Sequence, residues 1–343
     1  MIKQDLILNR VPDLRILPNN KETYSMIRQD ATTNQLARVS SKSGITSKEF
    51  TTTGIIKTQN GNTDLQVIIN EYGKVTLKQS TSKLLRLLTI HFTEKGSQNK
   101  TISIPLKEAM HDLGLKDVKT ARANIKKDLE ALYNVSCEAH KTNKKGERDF
   151  IKFRILDMQG IKNGIIHVNL SDAIYSHLRS CELMPYPKEL LKIESNSNKN
   201  PYAFYLGDKI AELKKYNQYD KATANIKESF IIAVKTLLKV CFDNGMPNYE
   251  TVQSTDRQVE DRIIKPFERD LDACSANIFD WEYCNPKGVK LSDNQLESTT
   301  FKDFEARCIK VSFKDDYPIT DYDIKKRKQA SKKKTKDKGK ETA

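Results

Sequence analysis

Thr101-Ile-Ser-Ile-Pro-Leu-Lys-Glu-Ala-Met-His-Asp-Leu-Gly114, followed by Leu115-Lys-Asp117, is the stretch on which the fold is decided. Thr101 to Ile104 alternates polar and apolar residues, the period of a short strand. Pro105 suits a first helical position, where its missing N–H does no harm. The helix expected over Leu106 to Leu113 stops at Gly114, a natural left-handed C-terminal residue. Asp117 can then cap a longer helix running to about Tyr133. Beyond it, Val135 to Lys141 and Phe150 to Leu156 flank Asn143-Lys-Lys-Gly146, which predicts a β-hairpin with a basic tip.

Strand, helix, turn, helix and hairpin is the order of a winged helix, in which the short helix braces the longer one for a DNA groove. Upstream, Leu84, Leu85, Leu87 and Leu88 give the stretch from Thr76 to Ile90 an apolar helical face. Downstream, helices are expected over Ser171 to Ser180, capped by Ser171 or Asp172, and over about Tyr202 to Tyr216. The order then repeats. Phe230 to Ala233 reads as a strand and Val234 to Cys241 as a short helix, ended by Asp243-Asn-Gly-Met-Pro247. Asp256 caps a long helix to about Cys274. Ile278 to Cys284 and Ala306 to Phe313 form a second hairpin around a long polar loop. The expected fold is α+β, with two tandem winged-helix-like domains over residues 76–216 and 217–318. Residues 1–75 read as a polar, flexible extension with a short strand at Val67-Ile-Ile69, and residues 319–343 as a lysine-rich disordered tail.

A recognition helix buries one face and offers long polar side chains on the other. In the first long helix, Ala121, Ile125, Leu129 and Leu132 share the buried face, leaving Lys119, Lys126 and Lys127 outside it and Arg122 on its border. In the second, Val259, Ile263 and Phe267 are buried, and Gln258, Arg262, Lys265 and Arg269 recur on the opposite side. Arg and Gln can pair with guanine and adenine edges, whereas Lys mainly meets phosphate or guanine. Asp256, Glu260, Asp261, Glu268 and Asp270 offset these cations, and Pro266 predicts a kink or break near Arg262. The hairpin tips add Lys144, Lys145 and Arg148 in the first repeat and Lys287 and Lys290 in the second. A solvated helix face and ordinary turn chemistry are the bland alternatives for all of these.

Composition agrees with a polyanion binder. Of the net charge of +14, +8 lies in residues 325–343, so the rest of the chain is basic as well. Cys137, Cys181, Cys241, Cys274, Cys284 and Cys308 form no CxxC pair and no finger spacing with histidine, so reduced thiols and no metal are expected. No signal peptide or membrane span is apparent, which predicts a cytoplasmic protein without membrane contact. His91, His111, His140, His167 and His177 lack the close pairing of a nicking centre, and no phosphate loop, GxSxG or HExxH occurs. A non-enzyme without cofactors is expected; an origin-nicking nuclease is the remote alternative.

Four segments carry a resemblance to the iteron-binding plasmid replication initiators. They are Ile102-Ser-Ile-Pro-Leu-Lys-Glu-Ala109 with Leu113-Gly114, Gly164-Ile-Ile-His-Val-Asn-Leu-Ser171, Asn200-Pro-Tyr-Ala-Phe-Tyr-Leu206 and Arg262-Ile-Ile-Lys-Pro-Phe-Glu268. The resemblance spans residues 75 to 315 and departs from that family in the N-terminal extension, the loop after Gly288 and the lysine tail. It implies double-stranded DNA as partner, binding to repeated origin sites, opening of AT-rich DNA, and contact with the host replicative helicase and host initiator. It also implies a homodimer that represses its own gene. The rival reading is a winged-helix transcription regulator or phage DNA-binding protein. Direct repeats beside the gene would favour initiation, and one inverted operator would favour regulation.

Overall fold

The computed structural model describes residues 23–29, 31–38, 54–60, 63–69, 77–95, 97–142, 148–194, 199–217, 227–252, 256–297, 300–314 and 318. The fold is α+β. It begins with β1 (Tyr24–Gln29), α1 (Ala31–Ala37) and the antiparallel pair β2 (Gly54–Asn60) and β3 (Thr63–Ile69). The expectation of a flexible extension over residues 1–75 is therefore corrected for these segments. Part of the physical reason lies in polar residues of β1 and α1 that bond partners far away in the chain. The Arg28 guanidinium donates to Ser97 Oγ at 2.9 Å and to the carbonyls of Arg179 and Cys181 at 3.0 and 3.2 Å.

The next helix, α2 (Gln79–Glu94), is buried on every side from Thr81 to Thr93. Leu84, Leu85, Leu87 and Leu88 supply its apolar surface, but Arg86 is buried too. Burying a cation demands a paired anion. Asp208 provides it, accepting Arg86 Nε and a terminal nitrogen at 2.8 Å each. Arg38 also lies 3.2 Å from Asp208, and the Tyr186 hydroxyl donates to the same carboxylate at 3.1 Å. Asn34 accepts from Arg86 at 3.0 Å, and Glu212 pairs with Arg38. Burial alone works against the Arg86 charge, but Asp208 outweighs it and holds the guanidinium's pKa above its ordinary value.

The first repeat follows as β4 (Thr101–Pro105), α3 (Leu106–Asp112) and α4 (Val118–Asn134). Gly114 takes φ +66° as expected, whereas Pro105 closes the strand and precedes the helix. Then come β5 (Val135–Thr142), β6 (Arg148–Arg154), β7 (Leu156–Lys162), β8 (Ile165–Leu170) and α5 (Asp172–Ser180), the last capped by Ser171. The strands β5 and β6 do pair as a hairpin. They do not serve as the wing. They extend β2 and β3 into a four-stranded sheet, while the sheet containing β4 runs β4-β8-β7. The wing of this repeat is thus β7–β8, and β5–β6 is an excursion between helix and wing. The chain continues through β9 (Glu182–Pro187), paired antiparallel with β1, then α6 (Glu189–Lys192) and α7 (Ala203–Asn217).

The second repeat holds β10 (Ser229–Ala233), α8 (Val234–Asp243), α9 (Tyr249–Val252), α10 (Asp256–Val259), a π turn over Glu260–Ile264 and α11 (Lys265–Ser275). It ends with β11 (Phe279–Cys284), α12 (Asp293–Glu297), α13 (Phe301–Ala306) and β12 (Cys308–Phe313). Its sheet runs β10-β12-β11, the order of β4-β8-β7. One hydrogen bond recurs at the same corner in both units. The first N–H of α3, at Leu106, bonds to Gly164 just before β8, and that of α8, at Val234, bonds to Arg307 just before β12.

The expected polar loop of the second hairpin contains α12 and α13. Thr300 caps α13, Phe304 is buried edge-on to Phe267, and Phe301 stacks on Tyr249 at 4.5 Å. Helix α7 joins the repeats: the Tyr202 N–H preceding it donates to Asp270 of α11 at 2.6 Å. Apolar residues of both repeats merge in one contiguous core. Cys181, Cys241, Cys274, Cys284 and Cys308 are buried free thiols, as expected for those five.

Candidate nucleic-acid interface

Helix α4 starts where Asp117 accepts the Thr120 N–H at 2.7 Å. The Thr120 side chain and then this N–H draw the Asp117 carboxyl below its ordinary pKa. Ala121, Ile125, Leu129 and Leu132 are buried, and Lys119, Arg122, Lys126 and Lys127 are all exposed. Its fifth polar group of note, Asp128, turns inward, where Thr81 and Ser80 donate to it at 2.6 and 3.0 Å. Lys126 lies 3.7 Å from Glu130 across one helical turn. Among the described residues, Lys119, Arg122 and Lys127 have no ion pair.

The second long helix is built differently. Pro266 cannot donate to a carbonyl four residues back, and its ring would press on the Arg262 carbonyl in a regular α-helix. The chain widens into the π turn just before it, with the Lys265 N–H bonding to Glu260 five residues back. The irregularity expected near Arg262 takes this form. Val259, Ile263 and Phe267 are buried, and Gln258, Arg262, Lys265 and Arg269 are exposed.

The acidic residues divide that stripe. Lys265 Nζ is 2.9 Å from Asp261 and 3.4 Å from Glu260, and those carboxylates raise its pKa. Arg269 is held by Asp270 at 2.8 Å. Asp270 is itself buried, which pushes its pKa up even though Tyr202 and Arg269 donate to it. Among the described residues, Arg262 has no such partner.

The first wing carries a tip that sequence reading passed over. Asn163 and Gly164 have φ of 51° and 73°, the paired left-handed conformations of a type I′ turn, and Lys162 beside them is exposed. Asn-Gly between strand-like runs is a strong hairpin signal and was there to be read. Lys144 and Lys145 lie outside the described residues, as does the Arg148 side chain, although Arg148 opens β6. In the second wing the Asn285 side chain accepts the N–H groups of Lys287 and Val289. Lys287 is exposed there, and Lys290 lies 3.6 Å from Glu282.

No protein-family model and no curated protein matches the chain. Among solved structures, a crystal structure of RctB domains 2–3 is similar at 11% identity and TM-score 0.44, over 82% of this chain and 97% of that one. A selenomethionine form of RctB domains 2 and 3 gives 9% identity and TM-score 0.45, over 83% and 99%.

Three sources of basic charge therefore meet the solvent in the first repeat: the α4 face, the α3–α4 turn with exposed Lys107 and Lys116, and the wing tip at Lys162. The second repeat offers Arg262, Lys287 and a set of cations already engaged by carboxylates. Exposed ammonium and guanidinium groups of this kind have the chemistry to meet phosphates and to present directional donors. Among the described residues, no helix is long and apolar enough to cross a membrane.

Proposed function

We propose that the chain binds double-stranded DNA sequence-specifically, without enzymatic activity, and initiates plasmid replication at repeated origin sites. The observation that carries this reading is the doubled unit. Two strand–helix–helix–wing modules share one sheet order and one corner hydrogen bond, and each exposes arginine on its long helix. In such modules the long helix enters the major groove and the wing flanks it, and successive grooves on one face lie about 34–36 Å apart. Two modules on one chain suit a long site read once per chain. An array of direct repeats then loads several chains side by side, close to the DNA to be opened.

The resemblance stated from the sequence supports the same role, and with it contacts to the host replicative helicase and host initiator and a homodimer for autoregulation. The test is selection of bound duplexes from a random pool by the full chain, followed by footprinting on arrays of the selected site. Consecutive protection along direct repeats, with melting of adjacent AT-rich DNA, is the expected result. Preference for a single inverted repeat with no melting would support a regulator instead. Supercoiled plasmid incubated with the protein and Mg2+ should remain unnicked.

A further inference from the structure

His91 sits in the last turn of α2 with its side chain only 7% exposed. Its Nε2 faces two carboxylates of the neighbouring helix α3, Glu108 Oε1 and Asp112 Oδ2, each 3.8 Å away. That separation is too long for a hydrogen bond to either. One candidate ligand atom from each of the three residues lies within 4.8 Å of the others, and Glu108 and Asp112 are one helical turn apart on the same face. The other oxygen of Asp112 is held by His111 Nδ1 at 3.1 Å, which fixes the plane of the carboxylate.

A buried imidazole aimed between two carboxylates, and bonded to neither, is poorly served by direct contact. An ion placed among them serves all three. Ligand bonds of about 2.0–2.2 Å in tetrahedral or octahedral geometry put neighbouring donors roughly 3–3.5 Å apart. The two 3.8 Å separations from His91 therefore need only a small contraction, and the carboxylates, which lie within 4.8 Å of each other, close the remaining gap by side-chain rotation. We propose that His91, Glu108 and Asp112 bind a divalent transition-metal ion, with Zn2+ the best match, which ties α2 to α3.

The donor set selects the ion. One imidazole nitrogen and two carboxylate oxygens suit Zn2+ and its first-row neighbours, whereas Mg2+ prefers oxygen donors alone. Both carboxylates reach solvent, giving an entry path and room for water on the open side. Asp112 bound through one oxygen and oriented by His111 through the other follows the outer-shell pattern of metal ligands. The position carries a consequence: α3 leads directly into the Asp117 cap of α4, so the ion fixes the approach to that helix.

The experiment uses the full chain, stripped with chelator under reducing conditions, and titrates it calorimetrically with Zn2+ and separately with Mg2+. One Zn2+ per chain is expected, without comparable Mg2+ binding. Glu108→Gln with Asp112→Asn should weaken zinc binding by roughly a hundredfold or more while leaving the metal-free melting temperature near that of the parent. Because both side chains are solvent-accessible, this pair is chosen ahead of the buried His91; His91→Gln is the confirming variant. Co2+ bound in place of zinc should show a visible spectrum without thiolate charge-transfer absorption. Absence of zinc binding, equal affinity in the double variant, or a thiolate band pointing to the cysteines would each overturn the site.

Discussion

Helices α4 and α10–α11 occupy the same place in their repeats and carry four basic residues each, yet they present different surfaces. In α4 two acids accompany the four cations, and one of them, Asp128, faces inward. In residues 256–275 six acids accompany them, and Lys265 and Arg269 are engaged. Charge counted along a helix is thus a poor guide to charge available at its surface. Pairing decides which cations can meet a phosphate, and under the proposed function it would divide the labour: α4 for strong, weakly selective attraction and α10–α11 for selective contact through Arg262.

The largest expected effect tests the scaffold on which both helices depend. Asp208→Ala leaves Arg86 buried without its anion and should cost about 3–5 kcal/mol of folding stability, measured by urea denaturation. A small loss would mean that the two helices do not rely on a common framework. Next, the triple variant Lys119→Ala, Arg122→Ala, Lys127→Ala should weaken binding to every duplex and lower the salt-dependence slope by about 3. Fluorescence anisotropy across a potassium chloride series reads it; an unchanged slope would remove α4 from the interface.

Arg262→Ala should cost about 1–3 kcal/mol on the selected site and relax one base position, with less change on random DNA. Equal losses on both DNAs would make Arg262 a phosphate contact and erase the distinction between the helices. The converse change sharpens it. Glu260→Gln with Asp261→Asn releases Lys265 and should strengthen non-specific binding, steepening the salt slope by about 1. The smallest effect belongs to the wing tip, where Lys162→Ala should reduce the slope by about 1 or less.

Much of the first repeat could be read because its punctuation is local. Asp117 and Gly114 each act on their own neighbours, and so does Ser171. The disturbance caused by Pro266 in the second repeat yielded for the same reason, whereas α12 and α13 were read as a polar loop. What escaped reading depends on distance in the chain. Nothing near Arg28 announces Ser97 or Cys181, so a polar segment read as an extension although it is pinned in place. The β5–β6 hairpin was correctly seen as a hairpin, but membership of a sheet is decided by β2 and β3, far upstream. His91 and its carboxylates are likewise brought together only when α2 packs near α3. The Lys162-Asn163-Gly164 turn is a different case, since its signal was local and the basic tip at Lys144 drew the reading away from it.

The pairing of β1 with β9 sets a schedule for the chain's own synthesis. Tyr24 pairs with Pro187, and Arg28 waits for carbonyls at residues 179 and 181. At translation rates of about 5–20 residues per second, the first strand leaves the ribosome roughly 8–30 s before its partner. Tyr24, Met26 and Ile27, all buried in the finished fold, are exposed for that interval. A nascent chain halted before β9 is made therefore offers an apolar strand without its strand partner to the cell's holding chaperones. The seam closes only after the whole first repeat has been made.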